Sequence, residues 1–199
     1  MSNRFVSLTA EHRAFIAEQR IFFTASATAE SRVNISPRPT ETVRVPSDTV
    51  AMYLDLTGSG AETAAHLRVD GRLTMMFCAL LGPPSILRLY GRGRALRAGT
   101  DAYAKALAEH FDDRAPRGAR QIVWLDIDFV QTSCGYGVPL FDYREERATL
   151  ARWTEAKSED ALREYRRERN AISLDGLETG LVTYDALPHS GADSTPLPS

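Results

Sequence analysis

Residues 121–130 read QIVWLDIDFV, and their side chains alternate: Val123, Leu125, Ile127 and Phe129 one way, Trp124, Asp126 and Asp128 the other. Successive residues of a strand point to opposite faces, so this pattern predicts a strand with one buried and one wetter side. Similar stretches recur with only short turns between them. Phe22–Ser26 and Arg32–Ser36 flank a turn at Thr28–Ser31, with Pro37 and Pro39 expected to end regular pairing. Thr42–Val45 and Thr49–Leu56 flank Pro46-Ser47-Asp48, and Arg72–Leu80 and Ser85–Arg97 flank Gly82-Pro83-Pro84. Helices are predicted from Thr9 to about Gln19, from Gly60 to Val69 and from Thr100 to Phe111, the first and last capped by threonine. About six to seven strands joined by short turns exclude the regular strand–helix alternation of a parallel sheet. The expected fold is mainly β with peripheral helices (α+β): a six- to seven-stranded antiparallel barrel.

Past residue 142 the character changes. A charged helix is predicted from about Tyr143 to Asn170, with sparse apolar positions at Leu150, Trp153, Leu162 and Tyr165. The expected organisation is a barrel over 1–142, a helical extension over 143–184 packing on the barrel or a dimer partner, and a disordered tail over 185–199. The formal net charge of −2 gives no electrostatic reason to expect nucleic acid or an anionic membrane as partner. The longest apolar run, Met75–Leu81, is far short of a membrane span, and the N-terminus lacks the apolar core of a signal peptide. Two cysteines, Cys78 and Cys134, make neither a CxxC pair nor a zinc site; a reducing cytoplasmic setting is expected.

Three segments could carry chemistry. In LDLTGSGAETAAHL, residues 54–67, a strand runs through Thr57-Gly58-Ser59-Gly60 directly into a helix. Such a junction can present N–H groups to an anion at the positive end of the helix. The same residues also fit a capping box of Ser59 with Glu62. In ILRLYGRGRALR, residues 86–97, Arg88, Arg92 and Arg94 share one face, and Gly91 and Gly93 suggest a bulge or a close backbone approach. That face is either a cationic edge or an anion site. Arg32, Asn34 and Ser36 form one polar strand face, which could meet a polar heterocycle. His12, His66, His110 and His189 are scattered, without HExxH spacing, and neither a GxSxG elbow nor a histidine near Cys134 supports a hydrolase.

The order TASATAESRVNISPRP, VAMYLDLTGSGAETAAHLRVDGRLTMMFCAL, PPSILRLYGRGR, QTSCGYGVP resembles the pyridoxamine 5′-phosphate oxidase-like proteins. More narrowly it is similar to their branch of pyridoxamine-phosphate-oxidase-related FMN-binding proteins, over about residues 15–180. The resemblance implies a split β-barrel that dimerises and holds flavin mononucleotide (FMN) at the subunit interface. It implies that Arg32, Asn34, Ser36 and Arg38 line the flavin, and that Thr57, Ser59, Gly60 and Glu62 meet its phosphate and ribityl chain. Arg92 and Arg94 would approach the cofactor, from the partner subunit if the dimer brings them there. The implied activity is oxidoreduction of a small molecule by flavin hydride transfer. The alternatives are a deazaflavin-dependent reductase, a haem-binding barrel, or a non-catalytic flavin-binding sensor. The authentic oxidase has a basic pair inside the junction helix; here the residues are Gly60-Ala61-Glu62, and relatives often have Asn in place of Ala61. The oxidase's C-terminal arginine and histidine pattern is also missing, so vitamin B6 oxidation is not expected.

Overall fold

The computed structural model describes residues 2–182. Its strands are β1 (Ser2–Phe5), β2 (Ile21–Ser26), β3 (Asn34–Pro39), β4 (Val43–Ser47), β5 (Val50–Leu56), β6 (Arg72–Cys78), β7 (Ile86–Arg97) and β8 (Ala119–Ser133). The helices are α1 (Ala10–Glu18), α2 (Glu62–Val69), α3 (Asp101–His110), α4 (Thr149–Glu155) and α5 (Glu159–Arg169). All eight strands belong to one antiparallel sheet, ordered β3-β2-β6-β7-β8-β5-β4, with β1 pairing the far end of β8. The sheet curls into a half-barrel with flanking helices, the split-barrel arrangement. The strand the sequence pattern missed is β1, a polar SNRF segment whose place depends on β8 extending to Ser133.

The inner face carries the main core, with Phe22, Tyr53, Met75, Phe77, Leu87, Leu89, Val123 and Leu125 all buried. The outer face of β5 and β8 carries Met52, Leu54 and Ile122, covered by Tyr103, Ala106 and Leu107 of α3. Strand β5 is therefore buried on both faces, which explains its nearly unbroken apolar run.

Three expectations change. β3 continues through Pro37 and Pro39, which pair with Phe23 and Ile21; it is an edge strand, where a missing N–H on the open side costs nothing. A bulge between Tyr90 and Gly91 sets Tyr90 opposite Phe129 and Gly91 opposite Ile127, so Asp128 is the extra residue. Beyond it Val130, not Phe129, faces the core. A Cβ on Gly91 would lie 1.9 Å from the Asp126 carbonyl oxygen, the close approach expected there. The single helix expected over 143–170 is instead α4 and α5, because Ser158 starts a new helix by accepting from the Ala161 N–H. The tail expected to be disordered, 185–199, lies outside the described residues. No helix among the described residues is long and apolar enough to cross a membrane.

Candidate functional site

The inner face of β3 presents Asn34, Ser36 and Arg38, opposite Ser26, Thr24 and Phe22 of β2. The Asn34 amide donates to Thr63 Oγ1 (3.1 Å) and to Ser36 Oγ (3.3 Å). Thr63 lies in the first turn of α2, so this polar shelf runs to the start of that helix. Below it, Ser26 Oγ lies 3.0 Å from His66 Nδ1; His66 is thus a buried packing residue.

The β5–α2 junction is held from behind. Thr57 donates through its N–H (2.7 Å) and its hydroxyl (2.8 Å) to the Gly118 carbonyl, and Arg166 donates to the same hydroxyl (2.9 Å). The Gly58 carbonyl accepts from Asn170 Nδ2 (2.9 Å) and the Gly60 carbonyl accepts from Arg120. The Ser59–Glu62 capping box does not form. The helix begins at Glu62, Ala61 occupies the cap position, and Glu62 Oε2 accepts from the Ala61 N–H (3.0 Å). Among the described residues nothing accepts from the N–H groups of Gly58, Ser59 and Gly60, and Ser59 and Gly60 are exposed.

Behind the junction lies a buried ionic cluster. Asp55 accepts from Arg38 (2.7 Å) on one oxygen, and from Arg120 (2.8 Å) and Gln121 (2.7 Å) on the other. Burial pushes the Asp55 carboxyl up; the Arg120 and Arg38 guanidiniums, with hydrogen bonds from Arg120 and Gln121, outweigh it and hold the group down to about 2. Arg38 also donates to Thr24 Oγ1 (3.1 Å), and its guanidinium lies 4.7 Å from the Tyr53 ring centroid. Burial raises the Tyr53 phenol to about 12, against the pull of Arg38.

Arg38 also lines a cleft of about 990 Å³. Its walls combine apolar residues, among them Phe15, Pro39, Leu80, Phe141 and Tyr143, with charged ones, among them Glu18, Arg20 and the acidic and basic residues of 142–147. One wall is a strap without regular structure, 141–147, tied down where the Phe141 N–H donates to the Leu80 carbonyl (2.9 Å). The QTSCGYG segment leads into this strap. Gly135 takes φ +65° with its α-carbon face against Ser85, and a Cβ there would meet the Ser85 backbone at 2.9 Å. Backbone N–H groups, foremost that of Tyr136, lower the Cys134 thiol.

The structure thus brings together Asn34, Ser36, Arg38, Thr57, Ser59, Gly60 and Glu62. Arg32 precedes β3 and pairs with Asp175. Arg92 and Arg94 stand on the outer face, Arg92 donating to the Asp70 carbonyl (2.7 Å) and Arg94 pairing with Asp126 above the Trp124 ring. Asp55, Arg120, Gln121, Arg166 and Asn170 were not singled out from sequence. The available signal was one carboxylate inside the apolar VAMYLDL, which demands a buried partner. Its partners Arg120 and Gln121 lie 65 and 66 positions away.

The model of the pyridoxamine 5′-phosphate oxidase family matches residues 8–134. The chain belongs to the pyridoxamine 5′-phosphate oxidase family. Within it, the chain is 36% identical over 189 residues to the pyridoxamine 5′-phosphate oxidase family protein ustO of Aspergillus flavus, covering 86% of this chain and 75% of that one. Among solved structures it is similar to a HupZ variant of Group A Streptococcus (TM-score 0.50, 17% identity, 63% of this chain and 98% of that one). A putative pyridoxamine 5′-phosphate oxidase from Lactobacillus delbrueckii has TM-score 0.49 at 15% identity, over 63% of this chain and 94% of that one. The family match ends before α4 and α5, so Arg166 and Asn170 reach the junction from outside the matched region.

Proposed function

We propose that this family member is a homodimeric, cytoplasmic oxidoreductase that binds FMN and acts on a small molecule other than a B6 vitamer. The observation that carries this reading is the set of three unbonded N–H groups at Gly58, Ser59 and Gly60, at the head of α2 and beside the Asn34–Ser36–Thr63 shelf. The donor set fits a phosphate: backbone N–H groups and the Ser59 hydroxyl, with the guanidiniums of Arg120 and Arg166 adding positive charge from behind the loop, where they bond to protein groups. Glu62 is compatible with an anion there because its carboxylate is turned back onto the Ala61 N–H.

In this reading Asn34, Ser36 and Arg38 hold the polar edge of the ring, and the cleft beyond Arg38 takes the substrate. The bound flavin supplies the hydride-accepting chemistry; the chain supplies orientation and hydrogen bonds. Arg38 is suited to this because Asp55 and Thr24 fix its guanidinium before any ligand arrives. The dimer is supported by exposed Ile35 on the outer face of β3 and exposed Val33 just before that strand, beside half-buried Phe23 and Ala25. In such a dimer the outward Arg92 and Arg94 would serve the partner's cofactor.

The test is the absorption spectrum of the purified protein with mass spectrometry of whatever it releases. Flavin bands and the mass of FMN are expected, with reduction by a nicotinamide donor. A deazaflavin mass, a Soret band, or a bound flavin that no donor or acceptor turns over would replace this reading by the deazaflavin, haem or sensor alternative respectively.

A further inference from the structure

Asn170 ends α5, is fully buried, and has every polar atom engaged. Its side chain donates to the Gly58 carbonyl (2.9 Å) and accepts from Arg120 (3.0 Å), its N–H donates to the Arg166 carbonyl (2.8 Å), and its carbonyl accepts from Thr179 Oγ1. Arg120 in turn donates to the Gly60 carbonyl. The carbonyls of Gly58 and Gly60, on either side of Ser59, are therefore both pulled toward one buried pair.

A trans peptide is planar, so its C=O and the following N–H point in opposite directions. No peptide among the described residues is cis. Drawing the Gly58 carbonyl inward onto Asn170 turns the Ser59 N–H outward. Drawing the Gly60 carbonyl inward onto Arg120 does the same for the Ala61 N–H, the group that Glu62 covers. Gly58 and Gly60 have no Cβ to restrain them, and a Cβ at Gly58 would meet nothing within 4 Å. Between Thr57, tied to Gly118, and Ala61, tied to Glu62, the Gly58–Ser59 peptide is held by Asn170.

We infer that Asn170, held in place by Arg120, is a positioning residue that aims the Ser59 N–H at the phosphate of the cofactor, so that the C-terminal helix α5 sets how well this barrel distinguishes phosphorylated from unphosphorylated flavin. This rests on the flavin reading above. The residue does not touch the ligand; it acts through the peptide plane of Gly58–Ser59.

Fluorescence titration of the full-length apoprotein with FMN and with riboflavin, which has the same ring and side chain but no phosphate, tests this. The wild type binds FMN more tightly. Asn170→Ser loses about fivefold to tenfold in FMN affinity with riboflavin affinity unchanged, the loss expected for one hydrogen bond. Thr179→Val loosens the same helix end without touching the junction and keeps the wild-type ratio. An unchanged ratio in Asn170→Ser, or an equal fall for both ligands, overturns the clamp. Equal affinity of the wild type for FMN and riboflavin instead overturns the phosphate reading beneath it. A second measurement uses the wild type alone: the Ser59 amide proton resonance moves with FMN and stays with riboflavin, and a resonance that ignores FMN overturns the clamp even where the variant does not fold.

Discussion

The Asp55 carboxylate and the Arg120 guanidinium meet at 2.8 Å with side chains 2% and 4% exposed. A buried pair of this kind contributes little against well-packed apolar residues of the same volume, but breaking it from one side is costly. Its significance is positional: Arg120 bridges the carboxylate, Asn170 and the Gly60 carbonyl, joining β5, α5 and the junction in one cluster.

Asp55→Asn leaves Arg38 and Arg120 facing each other without their shared anion. The expected cost is about 3–5 kcal/mol. Denaturant unfolding of wild type and variant measures it, and a loss below about 1 kcal/mol would show that water or other groups already compensate the charges.

Acid stability carries the same signature. The Asp55 carboxyl is held at about 2 in the fold against an ordinary 3.8. Because the folded state binds this proton less readily than the unfolded state, the stabilisation is complete above about pH 5 and is lost as pH falls from about 4 to 2. It amounts to about 2 kcal/mol. Unfolding midpoints between pH 7 and 2.5 should fall more steeply for the wild type than for Asp55→Asn; parallel curves would assign the acid limb to other carboxyls.

Glu62 places the nearest carboxylate on the rim of the proposed phosphate position. Glu62→Gln keeps the shape, keeps an acceptor for the Ala61 N–H and removes the charge. A repulsion of about 1 kcal/mol at this half-exposed site predicts a gain in FMN affinity of about threefold to tenfold. Isothermal titration reads it, and a drop in affinity would make the Glu62 charge part of the binding set.

Arg94 tests the proposed dimer. Its pair with Asp126 is half exposed on both sides, so Arg94→Ala should change stability by under about 1 kcal/mol. If the partner's flavin receives this guanidinium, the same variant loses about one to two decades in flavin affinity. Flavin retention equal to the wild type removes Arg94 from the site.

The local elements were readable because their signals are local. Thr9 and Thr100 cap α1 and α3 by accepting from His12 and Tyr103, three residues on. The alternation of 121–127 marked the two faces of β8 until the bulge at Asp128 reversed it. That reversal belongs to the pairing with β7, and a period-two pattern in one strand cannot announce an extra residue opposite another. The same limit applies at Pro37: proline reads as a strand breaker until it is known that β3 is the sheet's edge.

By itself, the sequence determined an antiparallel sheet with peripheral helices, the glycine-bearing junction between β5 and α2, and through its ordered segments the family. The tertiary structure alone decided that Ser59 is not a cap, that Arg32 pairs with Asp175, that Arg92 and Arg94 stand on the outer face, and that Asn170 and Arg120 hold the junction. The reason is range. Caps, turns and alternation act over a few residues, whereas the Asn170–Gly58 bond spans 112 positions and exists only once the half-barrel and its C-terminal helix are packed.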